Sequence, residues 1–338
     1  MQTKRPRSVA LQLVLDVFAV GALLLVFALF HHVLPRRGGG LNQSIVSFAS
    51  PTAQVVTPTP EPTPEPVVAG TPAPTPTPSP SPSPSPTPAP GDFSATFPDY
   101  DTSLGVDALH SYQSDDLRVV ITQGYVNEAT YYVADVWVRH ISSFKTGFAG
   151  GEYARGVYDT TQQIASDCGA VVAVNGDYCG AHSGGVVIRN GVLYREGATT
   201  DVCVLYADGV METYTRKAFS TEAAVARGAY QAWNFGPLLL ENGQIPASYS
   251  TSLDGGRDPR TAIGYYAPGH YCLVLVDGRR AGYSRGLTLT QLSELFLSLG
   301  CTVAYNLDGG QTSVMTFQGE IVGQPYKGGR VVSDIVYF

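Results

Sequence analysis

Charge is scarce in this chain: Asp, Glu, Lys and Arg make up 14% of its 338 residues, and the formal net charge is -7. A nucleic-acid binder normally presents a basic face, so no nucleic-acid partner is expected. Cysteine is sparse too. None of the five, Cys168, Cys179, Cys203, Cys272 and Cys301, stands at CxxC spacing from another, which argues against a structural zinc site. An odd count outside the cell leaves at least one thiol unpaired. No disulfide pairing follows from the spacing, and all five suit small buried positions.

Long apolar runs are lacking except at the N-terminus. Val17 to Phe30 is unbroken apolar sequence, and extension to Val9 and Leu34 gives a length that spans a bilayer. Gln12 and Asp16 fall near the cytoplasmic end, where polar groups reach the interface. Lys4, Arg5 and Arg7 favour an N-inside orientation, which Arg36 and Arg37 on the far side dilute. A cleaved signal peptide is the competing reading. No small-x-small cleavage site follows the run, so an uncleaved anchor is expected, contacting the membrane through this helix.

Proline is concentrated in residues 51–90, in Thr-Pro, Ser-Pro and Glu-Pro repeats. Alternating proline removes backbone donors and holds an extended conformation, so this stretch cannot build a core. At about 3.1 Å per residue it reaches on the order of 100 Å as a spacer. The expected organisation is a cytoplasmic tail over 1–8, a transmembrane anchor over 9–34, a disordered linker over 35–91 and a folded domain over 92–338. That makes a single-pass cell-membrane protein with its C-terminal domain outside the cytoplasm.

From Asp116 onward the pattern is of short strands and turns. Leu117 to Gln123 and Tyr131 to His140 alternate as strands. Asn190-Gly191 between Val186–Ile188 and Val192–Tyr194 predicts a two-residue hairpin. Ala207-Asp208-Gly209, Glu241-Asn242-Gly243 and Val276-Asp277-Gly278 read as further hairpin turns. Helices are expected over Tyr158–Asp167, over Thr221–Gln231, and after Thr288, which forms a capping box with Gln291. In the last, Leu289, Leu292, Leu295, Phe296 and Leu299 share a face and Gly300 supplies the stop. The predicted class is α+β, mostly antiparallel sheet with a few packed helices.

Two segments repeat one design. Ile164–Cys168, Ala170–Val174 and Asn175-Gly176-Asp177 match Leu297–Cys301, Thr302–Tyr305 and Asn306-Leu307-Asp308: a helix end, a buried strand, then Asn-x-Asp. Strand ends that deliver amides and carboxylates to the edge of a core suit a site; two Asx turns are the plainer alternative. After Asp308, Gly309 and Gly310 allow backbone N–H groups to approach a ligand, with Thr312 and Ser313 hydroxyls beside them, as in an anion cradle. Arg260 and Arg330, each at the start of a run of small or branched residues, offer planar forks suited to phosphate, or to a surface ion pair.

Taken in order, these motifs resemble the phosphodiester glycosidase family. The resemblance rests on Asn175-Gly176-Asp177-Tyr178, Phe235-Gly236-Pro237, Arg260–Gly264, Gly286-Leu287-Thr288-Leu289, Asn306–Gly310 and Arg330–Ser333, and spans about residues 110–338. Where the family usually continues Asp-Gly-Gly with Gly-Ser-Ser, this chain has Gln311-Thr312-Ser313. Cys179 replaces an expected aromatic residue, and Asp334 follows Ser333 in place of Asn.

The resemblance implies hydrolysis of sugar-1-phosphodiesters at the anomeric carbon, acting on a sugar-phosphate glycoconjugate or envelope polymer. In that scheme Arg260 and Arg330, with the N–H groups of Gly309 and Gly310, hold the phosphate. Thr312, Ser313 and Ser333 line the same substrate site. Asp177 and Asp308 are candidates for nucleophile or general base. Asn175 and Asn306 orient the sugar or the carboxylates, and His182 is a candidate proton donor. No cofactor is implied. A metal-dependent phosphodiesterase with Asp177, Asp308 and His182 as ligands, or a module that binds envelope glycopolymers without catalysis, are the alternatives.

Overall fold

The computed structural model describes residues 43–44, 91–101, 108–249 and 256–338. The expected anchor and nearly all of the linker lie outside the described residues. Among the described residues no helix is long and apolar enough to cross a membrane.

Among the described residues, three antiparallel sheets make up the domain. The central one has seven strands in the order Leu238–Leu240, Val303–Asn306, Arg260–Ala267, His270–Val276, Ala129–Val138, Leu117–Val126 and His110–Gln113. A six-stranded sheet runs Gln43–Ser44, Val192–Arg195, Val187–Arg189, Ala229–Trp233, Val202–Tyr206 and Met211–Tyr214. A five-stranded sheet runs Glu320–Val322, Met315–Phe317, Val172–Asn175, Asp334–Tyr337 and Lys145–Phe148. Mostly antiparallel sheet with few helices is the class the sequence predicts.

Strand alternation sends one face of each sheet to a common core. Ile121, Val136 and Leu273 enter it from the central sheet, Leu205 and Trp233 from the six-stranded sheet, and Val174, Met315 and Val336 from the five-stranded one. A helix covers the outer face of each sheet. Thr161–Cys168 (α1) packs Ile164 and Ala165 on Ala173 and Ile335, and Thr221–Ala226 (α2) sets Ala224 against Val204 and Ala229. Leu289–Ser298 (α3) lays Leu289, Leu292, Leu295 and Phe296 on Ala262, Val274 and Ala304 of the central sheet. Burying each such side chain is worth about 1.5–3 kcal/mol, which is why an amphipathic stripe, more than helix propensity, holds α3 in place. Its capping box is formed on both sides, with Thr288 Oγ1 accepting from Gln291 N–H at 3.2 Å and Gln291 Oε1 from Thr288 N–H at 3.1 Å. Gly300, just past the helix, is left-handed at φ 85°.

Three local expectations need correction. The helix predicted over Thr221–Gln231 stops at Ala226; Gly228 turns the chain at φ 86°, and Ala229–Trp233 is a fully buried strand of the six-stranded sheet. The alanine-rich stretch fits either structure locally, and burial between two sheet neighbours decides for the strand. The first helix begins at Thr161, because Thr160 accepts the Gln163 N–H and Asp159 is held extended by a bridge to Val332. Val276-Asp277-Gly278 is no hairpin. Asp277 is buried and accepts from Tyr283 Oη at 2.7 Å and Gln324 N–H at 2.8 Å, anchoring a loop that leads back to α3. The Asn190-Gly191 hairpin is present, with both residues at positive φ as its turn type requires.

Candidate active site

The two Asn-x-Asp segments meet. Val172–Asn175 ends in the five-stranded sheet and Val303–Asn306 in the central sheet, and the residues that follow each strand are bonded across the seam. Asp308 N–H donates to Gly176 carbonyl at 3.2 Å, and Asn175 Nδ2 donates to Asp308 carbonyl at 2.7 Å. Asn175 Oδ1 accepts from Thr261 Oγ1 at 2.7 Å and Val314 N–H at 3.3 Å. With its amide spent on the protein, Asn175 is a clip that fixes the backbone beneath Asp308.

Asp308 opens into a cavity of about 180 Å³ whose wall includes Gly236, Asp258, Arg260, Arg279, Asn306 and Gly309. Burial pushes its carboxyl from 3.8 up to about 6, against the opposing pull of Thr312, Arg330 and the Gly309 N–H. That N–H reaches Asp308 Oδ1 at 2.9 Å, and Arg330 Nη2 lies 3.4 Å from Oδ2. A carboxyl poised near neutral pH beside a cavity is the usual mark of an acid–base group.

Arg260 is buried, donating through Nε to Leu287 carbonyl at 3.0 Å and through Nη2 to Gly256 carbonyl at 2.8 Å. Burial lowers its pKa, partly offset by Asp258. Arg279, which no sequence motif singles out, faces the same cavity. Its backbone is left-handed at φ 57°, its Nε bonds Asp258 at 2.8 Å, and its guanidinium lies 3.3 Å from where a Cβ on Gly310 would stand. Gly310 therefore leaves room for Arg279 as well as for its own φ of 71°. The cue was present as two adjacent arginines after Asp277-Gly278 in a segment read only as a turn.

The anion cradle expected from Gly309 and Gly310 is not formed by their N–H groups. Gly309 N–H is taken by Asp308, and Gly310 N–H donates to Pro259 carbonyl at 2.8 Å. Thr312 Oγ1 likewise turns inward to Gly309 carbonyl at 2.8 Å. These residues shape the loop; cationic side chains, not backbone donors, face the cavity. Asn306 donates through Nδ2 to Gly236 carbonyl at 2.8 Å, while its buried Oδ1 and the buried Ser313 hydroxyl have no protein partner. Gln311, the departure from the family pattern, donates to Gly329 carbonyl at 2.9 Å and so tethers the segment that carries Arg330.

Asp177 lies elsewhere, in a closed ionic cluster. Arg189 Nη2 is 2.7 Å from Asp177 Oδ1 and 3.2 Å from Asp334 Oδ2, and Asp177 Oδ2 accepts from Asn234 N–H at 2.8 Å. Burial works against the Arg189 charge, and the carboxylates outweigh it, raising its pKa. Ser333 Oγ donates to Asp334 Oδ1 at 2.8 Å and accepts from Gly180 N–H at 3.1 Å, so Ser333 also serves this cluster. Asp177, Cys179 and Asp334 are the one grouping of metal-ligating side chains among the described residues, and the guanidinium of Arg189 already supplies positive charge there. The ligand trio of Asp177, Asp308 and His182 is not brought together. His182 is exposed, its ring edge-on to Tyr178 at 5.8 Å.

A phosphodiester glycosidase domain matches residues 168–338, half of the chain, and the chain belongs to that family. The SPbeta prophage-derived uncharacterized protein YomE of Bacillus subtilis (strain 168) is 29% identical over 243 residues, covering 63% of this chain; the chain spans only 37% of that relative's length. The fold is similar to the catalytic domain of zebrafish N-acetylglucosamine-1-phosphodiester alpha-N-acetylglucosaminidase, described as auto-inhibited by its pro-peptide. The TM-score is 0.54 at 20% identity, over 68% of this chain and 85% of that one. A hypothetical protein from Synechocystis gives a TM-score of 0.51 at 15% identity, over 68% and 64%.

Proposed function

We propose that this chain is a membrane-anchored extracytoplasmic hydrolase that cleaves sugar-1-phosphodiesters at the glycosidic bond, acting on cell-envelope glycoconjugates. The observation that carries it is the cavity in which Asp308, with its carboxyl pushed up to about 6, faces Arg260 and Arg279. The family supports the glycosidase chemistry, and the enzymatic name of the zebrafish neighbour supplies the substrate class. The apolar run over Val17 to Phe30, within 9–34, and the proline-rich stretch after it support the anchor and the spacer.

In this mechanism the diester phosphate sits against Arg260 and Arg279, whose charges stabilise it as it gains negative charge. The bond between the anomeric carbon and the phosphate oxygen breaks, and its electron pair leaves with the phosphate. Water forms the new bond to the carbon and gives its proton to ionised Asp308. A phosphate monoester is a weakly basic leaving group, so no strong acid is required on that side. Asp308 acts as general base, because a pKa near working pH suits proton abstraction. Asp177 positions the loop through its contact with the Asn234 backbone.

The test is release of free sugar from N-acetylglucosamine-1-phosphodiesters by the full-length chain, beside an Asp308→Asn variant. Turnover that falls by at least about a hundredfold in the variant supports glycosidic cleavage with Asp308 as base. Absence of turnover across several sugars by folded protein sinks the proposal.

A further inference from the structure

Beyond Asp308, away from the residues that line the cavity, Arg330 leads to an aromatic face that the proposed chemistry does not use. Its guanidinium carbon lies 5.1 Å from the centre of the Tyr178 ring, while its Nη2 reaches Asp308. Tyr178 in turn lies 5.8 Å from Tyr158, centre to centre, with the rings tilted by 31°. Tyr158 is 37% exposed and its neighbour Val157 36%, and Val331 beside Arg330 is 45% exposed. Arg155 is exposed nearby, and its charge, like that of Arg330, acts on the Tyr158 hydroxyl.

Tyr178 has a left-handed backbone, φ 61°. A bulky side chain there is an outlier, and it persists where the surroundings over-determine it. The neighbouring Asp177 is locked by Arg189, and the strained conformation places the Tyr178 ring under Arg330. Strain, the exposed Tyr158 ring beside the half-buried Tyr178 ring, and two cations thus coincide on one face, continuous with the reactive carboxyl.

We propose that this face is a second subsite, taking the next sugar-phosphate unit of an anionic glycopolymer. A pyranose ring would pack its C–H face on Tyr158 and Tyr178, and the adjoining phosphate would meet Arg155 and Arg330. The cavity at Asp308, about 180 Å³, is lined by neither tyrosine, so a unit held on this face would lie outside it. Aromatic rings beside arginines suit a ligand that is flat and apolar on one side and anionic at its ends. This inference rests on the proposed phosphodiester glycosidase reading, and it makes the substrate a chain of sugar phosphates instead of a single capped diester.

The experiment compares kcat/KM of the full-length chain for two synthetic substrates, a sugar-1-phosphate methyl ester and its homologue extended by one sugar phosphate. The wild type is expected to prefer the longer substrate through KM. In Tyr158→Ala and in Arg155→Gln the ratio of the two kcat/KM values is expected to fall by about tenfold. A general structural defect would lower both substrates together and leave the ratio unchanged, which overturns the subsite. So does a wild type that cleaves both equally. A wild type that cleaves neither overturns the parent proposal and this one with it.

Discussion

Asp177 Oδ1 and Arg189 Nη2 lie 2.7 Å apart with both side chains closed off from water. Removing one partner of such a pair leaves an uncompensated buried charge, at a cost of about 3–5 kcal/mol. Arg189→Met should therefore lower stability by that amount, read as a fall in the denaturation midpoint. Asp177→Asn should lose stability and activity together, with activity per folded molecule within about tenfold of wild type, because its role is to hold the Asn234 loop. An Asp177→Asn protein of undiminished stability and no turnover would return Asp177 to the reacting groups.

The pH profile should report Asp308. As a general base it works when ionised, so kcat/KM should rise with pH along a limb centred near 6. Arg330 holds that carboxyl down, against the larger effect of burial. Replacing it, as in Arg330→Gln, should move the limb to higher pH. A profile that falls through pH 6 would assign Asp308 as an acid instead.

Much of this site is legible in the sequence, and the reason is local. Asn-x-Asp at a strand end, the Thr288–Gln291 box and Asn190-Gly191 are short-range devices whose geometry is set by residues a few positions apart. The repeated helix–strand–Asn-x-Asp pattern pointed to a pair of related strand ends, and they do meet. What was not legible depends on partners far along the chain. Arg189 was unremarkable after Ile188, and only the packing of three sheets brings it to Asp177 and Asp334. For the same reason the two aspartates looked equivalent. One is neutralised by a buried guanidinium shared with Asp334, 157 positions along the chain, and the other opens to a cavity walled by Gly236, Asp258 and Arg260. The glycine loop looked like a cradle because sequence cannot show that its N–H groups are already taken by Asp308 and Pro259.

Arg279 should matter for substrate capture. It is about two-fifths exposed and faces the cavity, so its loss removes a phosphate partner without leaving a hole in the core. Arg279→Ala is expected to lower kcat/KM by about ten- to a hundredfold, as for one charge-assisted contact. Arg279→Lys should recover only part of that loss, since a point charge cannot match two oxygens. Unchanged kinetics in Arg279→Ala would remove the residue from the phosphate site.

Asp308 should also be a place where function is held against stability. Its pKa in the fold, about 6, is above the ordinary 3.8, so the folded state favours the protonated form. Below about pH 3 the carboxyl is neutral in folded and unfolded chains alike, and it carries no ionisation penalty. Between about pH 4 and 6 the unfolded chain ionises this carboxyl while the fold keeps it protonated, so stability falls relative to a neutral residue at the same position, and above 6 the loss levels off. A pKa moved from 3.8 to about 6 corresponds to about 3 kcal/mol, fully expressed above pH 7. Asp308→Asn should accordingly match wild type near pH 3 and exceed it by an amount of that order at pH 7 to 8. Denaturant melts of both proteins across this range isolate the effect, because every other titrating group is common to the two. Parallel stability curves would show that Asp308 ionises in the fold without penalty, and the limb near pH 6 would then need another owner.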